Sequence, residues 1–326
     1  MSPVGPPPPP PPAPNPTPSP ESRAPLILLG NIIPQIFATA FAVARILSKS
    51  WLGGGRHTWG ADDTTLTLSW LASLALTTTA CLQTRHGAGR HLATLAASDV
   101  APGLQLAYAT LLLYNLALAL TKVSACLLYA RVFADRRNRA LCVAALCFVA
   151  AYTLPLEAVS AAQCRPVAAV WGKGGRCIDT VPAFYASAAC NVVADVWIIA
   201  HAVPRVLPLQ IPRRQKGLLL FFLSLGWLTI IASIIRVVRI STILREPDKT
   251  WVSYDSSIWS AVEVDVGLVC VSAPATWKLV KKVAPGFAEA MTTRQHHPSD
   301  RRSSGGGGGD GGSNNEAAND AAGGTR

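Results

Sequence analysis

Seven separate stretches of roughly 20 apolar residues constrain this chain more than any other feature. They run from Pro25 to Ala44, Thr64 to Leu82, Leu104 to Ala130, Ala140 to Ala162, Ala183 to Val203, Gly217 to Ile235 and Ile258 to Trp277. About 20 such residues in helical form cross roughly 30 Å of hydrocarbon, and short linkers rich in Gly, Pro, Arg and Asp leave room only for helical hairpins. Half of the 326 residues are hydrophobic, 14% are charged and mean hydropathy is +0.31, a balance foreign to a soluble enzyme. The expected fold is all-α, a polytopic membrane protein built as a seven-transmembrane-helix bundle over residues 25–282. Residues 1–24 form a proline-rich arm, with an unbroken run from Pro6 to Pro12, and residues 283–326 a polar, Gly-rich tail. Both ends lack the apolar content for a core and are expected to be disordered.

Basic residues set the expected orientation. With the N-terminus outside and the C-terminus cytoplasmic, 18 of the 29 Lys and Arg fall in inner segments, eight in outer segments and three within helices. Basic loops stay cytoplasmic during insertion, so the net charge of +11 points to anionic inner-leaflet lipid and not to nucleic acid. In that frame Cys164 and Cys177 share the second outer loop, and the other six cysteines fall within helices. An oxidising compartment favours a Cys164–Cys177 disulfide.

Ionisable residues inside hydrocarbon are costly and face the bundle interior, which makes them site candidates. Tyr108, Asn115, Lys122 and Tyr129 recur every seven residues on the third helix and are expected to form one inward polar stripe. Ser187, Asn191 and Asp195 recur every four on the fifth. Lys122 and Asp195 each sit about 12 Å from the inner helix end, a matching depth that predicts an ion pair. Nearer the outer surface, Arg236 is expected to meet Glu263, whereas Arg239 snorkels to water. Glu263 and Asp265 point in nearly opposite directions, so only one can face a given cavity. Asp62 and Asp63 suit the N-terminus of the second helix as caps, with an inner-face contact to Arg131 as the other reading.

Several motifs, in order and spacing, resemble the fungal rhodopsin-domain family. They are GADD at 60–63, RHGAGRH at 85–91, LTKVSACLLYARVF at 120–133, CRPVAAVW with the RC at 176–177, NVVADVWIIAHAVPRVLPLQ from 191, RVVRI at 236–240 and the Trp259–Glu263 segment. The resemblance covers about residues 25–282 and implies a seven-helix integral membrane protein of receptor-like character. It also raises the question of retinal, yet the seventh stretch has no lysine before Lys278, and Lys122 lies on the wrong helix; no cofactor is expected.

The expected function is a receptor-like sensor in the plasma membrane, without retinal. Its partners would be the lipid bilayer, an unknown extracellular ligand and a cytoplasmic signalling partner met by Arg131, Arg136, Arg137, Arg213, Arg214 and Lys216. A transporter or channel lined by Lys122, Asp195 and Glu263 is the alternative. Catalysis is not expected: His86 and His91 suit a solvated loop better than a metal, and no HExxH, GxSxG or phosphate loop occurs.

Overall fold

The computed structural model describes residues 22–52, 59–133, 135–172, 174–208, 213–246 and 248–283. The proline-rich arm up to residue 21 and the tail beyond residue 283 lie outside the described residues. Seven α-helices dominate: α1 (Ala24–Leu52), α2 (Ala61–Arg85), α3 (Ala97–Val132), α4 (Arg136–Ala161), α5 (Val181–Val206), α6 (Arg213–Arg245) and α7 (Lys249–Val283). Over the described residues, all but α6 are long and apolar enough to cross a membrane, and α6 carries the sixth apolar stretch in its middle. The fold is an all-α polytopic membrane bundle.

Every helix extends beyond its apolar stretch at one end or both. α3 starts at Ala97, α6 continues to Arg245, and α7 begins at Lys249. Apolarity marks the hydrocarbon-facing middle of a helix, whereas its backbone hydrogen bonds continue through the polar interface. One consequence adds a partner to Arg239, whose side chain stays 46% exposed as snorkelling requires. The earlier start of α7 places Asp255 on a helix facing it, and the two pair at 3.4 Å.

Side-chain size is distributed as lipid demands. Leu26, Leu29, Ile33 and Phe37 on α1 face outward, while Ile27, Asn31, Gln35, Ala38, Ala42, Arg45 and Ser48 form the buried stripe. Lipid is as apolar as leucine, so helices gain by close approach of small residues and by polar contacts between them. The α1–α7 seam shows both. A Cβ at Gly30 would lie 2.7 Å from Ile258, so only glycine lets the backbones approach this closely. Asn31 Nδ2 donates to Ser257 Oγ (3.3 Å), Arg45 Nη1 to the Val271 carbonyl (2.6 Å), and Ser48 Oγ to the Ala275 carbonyl (3.2 Å). The near-constant offset means that α1 and α7 run parallel, as first and seventh helices of an up-and-down bundle must. α7 also packs against α2, α3 and α6, and α3 against α2, α4 and α5.

Between α4 and α5, β1 (Cys164–Arg165) and β2 (Arg176–Cys177) pair antiparallel with Cys164 opposite Cys177. The expected disulfide joins them.

Candidate functional site

The charged residues picked out by sequence converge in mid-bundle. Lys122 of α3, 5% exposed, places Nζ on Asp195 Oδ1 of α5. Glu263 of α7, 1% exposed, accepts from four donors. Tyr114 Oη reaches its Oε2 at 2.6 Å and Arg236 Nε the same oxygen at 3.3 Å; Asn191 Nδ2 reaches Oε1 at 2.6 Å, and the Ser233 hydroxyl also donates there. The Arg236 guanidinium lies 4.7 Å over the Tyr114 ring. α3, α5, α6 and α7 therefore meet at one carboxylate.

Sequence reading set Lys122 and Asp195 in an inner layer and Arg236 and Glu263 in an outer one. The structure makes them neighbours: a 130 Å³ cavity is lined by Lys122, Asp195 and Glu263 together, with Tyr129, Thr121 and Thr229. A Cβ on Gly267 would come within 3.1 Å of Thr121, so this glycine lets α7 approach α3 beside the cavity. Asp195 Oδ2 is buried without a hydrogen-bond partner among the described residues. Arg236 and Tyr114, bonded to Glu263, face the next cavity toward the α6–α7 turn.

The expected single stripe on α3 divides. Tyr108 Oη donates to the Ala161 carbonyl at the end of α4 (2.7 Å), and Asn115 lies beside Glu157 of α4. Lys122 and Tyr129 reach the central cavity. A seven-residue spacing drifts about 20° per repeat on a straight helix, enough to cross from one neighbour to the next. Tyr114 was missed, although 114, 118 and 122 carry the i, i+4 spacing that shares a face.

A second charged cluster closes the opposite end of the bundle. Arg45, 1% exposed, donates from Nε to Asp63 Oδ1 (2.9 Å) and from Nη2 to Asp62 Oδ2 (2.7 Å), besides its bond to Val271. Arg131 Nη1 lies 2.9 Å from Asp62 Oδ1 and 3.5 Å from Asp63 Oδ2, and Lys49 Nζ lies 3.3 Å from Asp63. Asp63 also accepts from the Gly60 N–H at 3.1 Å, so capping persists, but as a minor part of a cluster that ties α1, α2, α3 and α7. α1 and α3 flank the start of α2 and turn both carboxylates inward. Arg45 was missed because it falls just past Ala44, where the apolar stretch stops, and was counted as a loop charge.

Asp265 faces away from the central cavity, toward α2: its Oδ1 lies 2.6 Å from Ser73 Oγ, which also lies 2.7 Å from Gln35 Oε1, so one hydroxyl proton is shared between the two acceptors. Asp195 and Asp265 thus answer to different helices.

The RHGAGRH segment is built into the bundle and not merely solvated. His91 Nδ1 lies 2.7 Å from Asp248 Oδ2, and its ring stacks on Trp251 at 4.1 Å. The Gly89 N–H donates to the Thr250 carbonyl. Arg23, assigned by sequence to the proline arm, sits 4.1 Å over Trp251 and 4.4 Å over Tyr254. His86 turns instead to Asp99 (3.3 Å), so the two histidines do not converge on one metal site. Partial burial pushes the Asp248 carboxyl up, yet the Leu92 N–H, His91, Thr250 hydroxyl and Trp251 N–H together hold it below the usual carboxylate range.

The residues do not fit a retinal. α7 carries no lysine between Lys249 and Lys278, Lys122 is taken up by Asp195, and the cavity beside it is far below the 300 Å³ or so at which pockets begin to hold drug-sized ligands.

Comparison with known proteins supplies the family. Residues 44–282 match the fungal rhodopsin domain. The chain is also similar to a SAT4 family membrane protein of Emericella nidulans, at 32% identity over 158 residues, which is 47% of this chain and 41% of that relative. The match therefore spans less than half of the curated relative. No solved structure matches. An all-α membrane bundle whose motifs and whose match across most of its length agree is a multi-pass membrane protein that belongs to the fungal rhodopsin domain family.

Proposed function

We propose that this protein is a receptor-like sensor of the plasma membrane that works without retinal, with the disulfide-bearing end outside and the Arg45–Asp62–Asp63 end cytoplasmic. The observation that supports this reading is Glu263, where donors from α3, α5 and α6 meet a carboxylate of α7. A hub of this kind is a two-state element: a ligand that draws off one donor changes the packing of four helices at once. At the proposed inner end, Arg136 and Arg137 are exposed and available to a cytoplasmic partner, while Arg131 is occupied by Asp62. The side chains of Arg213, Arg214 and Lys216 lie outside those described.

A transporter is the second reading, favoured by the cavity that Lys122, Asp195 and Glu263 line together. Against it, the Arg236–Glu263–Tyr114 group stands between this cavity and the next. Spin labels at Arg137 and Lys282, with distances measured in nanodiscs, separate the two. The sensor predicts a changed spacing in Glu263→Gln and no solute flux in proteoliposomes. Flux that Glu263→Gln abolishes, with unchanged spacing, would refute the sensor.

A further inference from the structure

Two adjoining chambers lie beneath the segment from Arg85 to Leu95, on the far side of Arg236 from the central cavity. They measure 200 and 230 Å³ and share the lining residues Gln83, Ala88, Ala107 and Ser253. Together they fall within the roughly 300–1,000 Å³ of small-molecule sites. Their chemistry is graded. The outer chamber is walled by Leu92, Leu95, Val100 and Leu104. The inner one is lined by Ser253, Ser256, Ser257 and Ser260 over two turns of α7, with Ser253 and Ser260 bonded back to the Thr250 and Ser256 carbonyls, and ends at Arg236.

Charge in the lining has one sign. Among the described lining residues Arg236 is the charged side chain of the inner wall, the outer wall carries His86, and neither wall contains an Asp, Glu or Lys. Arg236 is 7% exposed and uses only Nε toward Glu263; among the described residues its two Nη groups have no hydrogen-bond partner. A buried guanidinium edge with two parallel N–H donors matches a carboxylate in geometry as well as charge.

We propose that these chambers bind a small amphipathic carboxylate, its head on the Nη edge of Arg236 among the α7 serines and its apolar body between Leu92, Leu95 and Leu104. The consequence for signalling rests on the sensor reading above. A carboxylate on the Nη edge shares the guanidinium charge with Glu263 and so weakens its contact to Nε, the longest of the Glu263 hydrogen bonds at 3.3 Å. Glu263 keeps Tyr114, Asn191 and Ser233, so Arg236 can turn toward the ligand without leaving a bare charge. Ligand binding would loosen the α6–α7 contact at the hub.

The test uses the full chain in nanodiscs of neutral lipid, titrated calorimetrically with octanoate, octanol, octylamine and acetate. Octanoate is expected to bind saturably, at least about tenfold tighter than the other three, because a lost charged hydrogen bond or a lost apolar body each costs that much. Arg236→Gln should weaken octanoate by about tenfold or more. Should that variant fail to fold, Ala107→Phe decides: Ala107 borders both chambers and is exposed, so the larger ring fills space without displacing core. Displacement of octanoate by oleate supports the site with the bilayer as source, and failure of oleate supports it with water as source. Equal binding of octanoate and octanol, or undiminished octanoate binding by folded Ala107→Phe, overturns the proposal. Octanoate binding without altered label spacing would leave the site standing and remove the sensor reading. A spacing change from another stimulus with no octanoate binding does the reverse.

Discussion

Replacing Lys122 by Met leaves Asp195 charged and alone in the bundle. Lys122 is 5% exposed and the Asp195 side chain 12%, and Asp195 Oδ2 already lacks a partner among the described residues. Removing one member of a buried pair costs roughly 3–5 kcal/mol. The 130 Å³ cavity beside Asp195 is roomy and polar enough for water, which needs about 10–15 Å³ of such space per molecule and could partly solvate the stranded carboxylate. The cost should therefore fall near the lower end, about 3 kcal/mol, or a melting temperature lowered by roughly 10 °C. Asp195→Leu should cost about the same, since it strands an ammonium in the same place. The double variant Lys122→Met, Asp195→Leu removes both charges and should return to within about 1.5 kcal/mol of the parent, because matched apolar replacement of a buried pair is close to neutral. Thermal melting of the three variants in nanodiscs, with surface expression alongside, measures the coupling. If the double variant loses the sum of the single losses, or either single change costs under about 1 kcal/mol, the pair is not the contact described.

Four further outcomes follow from the same geometry. Arg45→Lys should lower stability by roughly 3 kcal/mol and reduce expression, since an ammonium cannot serve Asp62, Asp63 and the Val271 carbonyl together; an unchanged melt would show that Lys49 and Arg131 suffice. Tyr114→Phe removes one donor to Glu263 and should cost about 0.6–1.7 kcal/mol, the upper part of that range being expected for a charged acceptor. Cys164→Ser should cost about 3 kcal/mol, as loss of a short closed loop does, and a reducing agent should reproduce it in the parent protein. The Asp248 carboxyl is held below its usual range, so its contribution is complete above the unfolded value near 3.9 and fades as pH falls through the lower folded value. Hydrogen exchange in Arg85–Leu95 should rise below about pH 4 in the parent, whereas in Asp248→Asn it should be raised already at neutral pH and show little further pH response.

Much of this architecture could be read directly. A run of apolar residues long enough to span hydrocarbon has only one way to satisfy its backbone, so seven runs give seven helices. Lys122 and Asp195 were traceable because charge at mid-membrane needs a partner, and helix rise alone puts them at one depth. The cysteine pair followed from location, being the two cysteines outside helices.

The bundle decided what depth cannot: rotation and neighbours. Whether Glu263 would meet one arginine or collect donors from three helices depends on how α3, α5 and α6 turn about their axes, and no local spacing specifies that. Arg45 shows the difference most sharply. As a letter it ends an apolar run and counts toward an inner loop. As a side chain it lies at the centre of four helices, because α1 continues past it to Leu52 and brings it beside two aspartates of α2 and a carbonyl of α7. Sequence determined that this chain fills a membrane with helices and must bury charge there. Only tertiary packing decided which charges meet, since hydrogen bonds are short and directional and the residues that make them lie up to more than 200 positions apart.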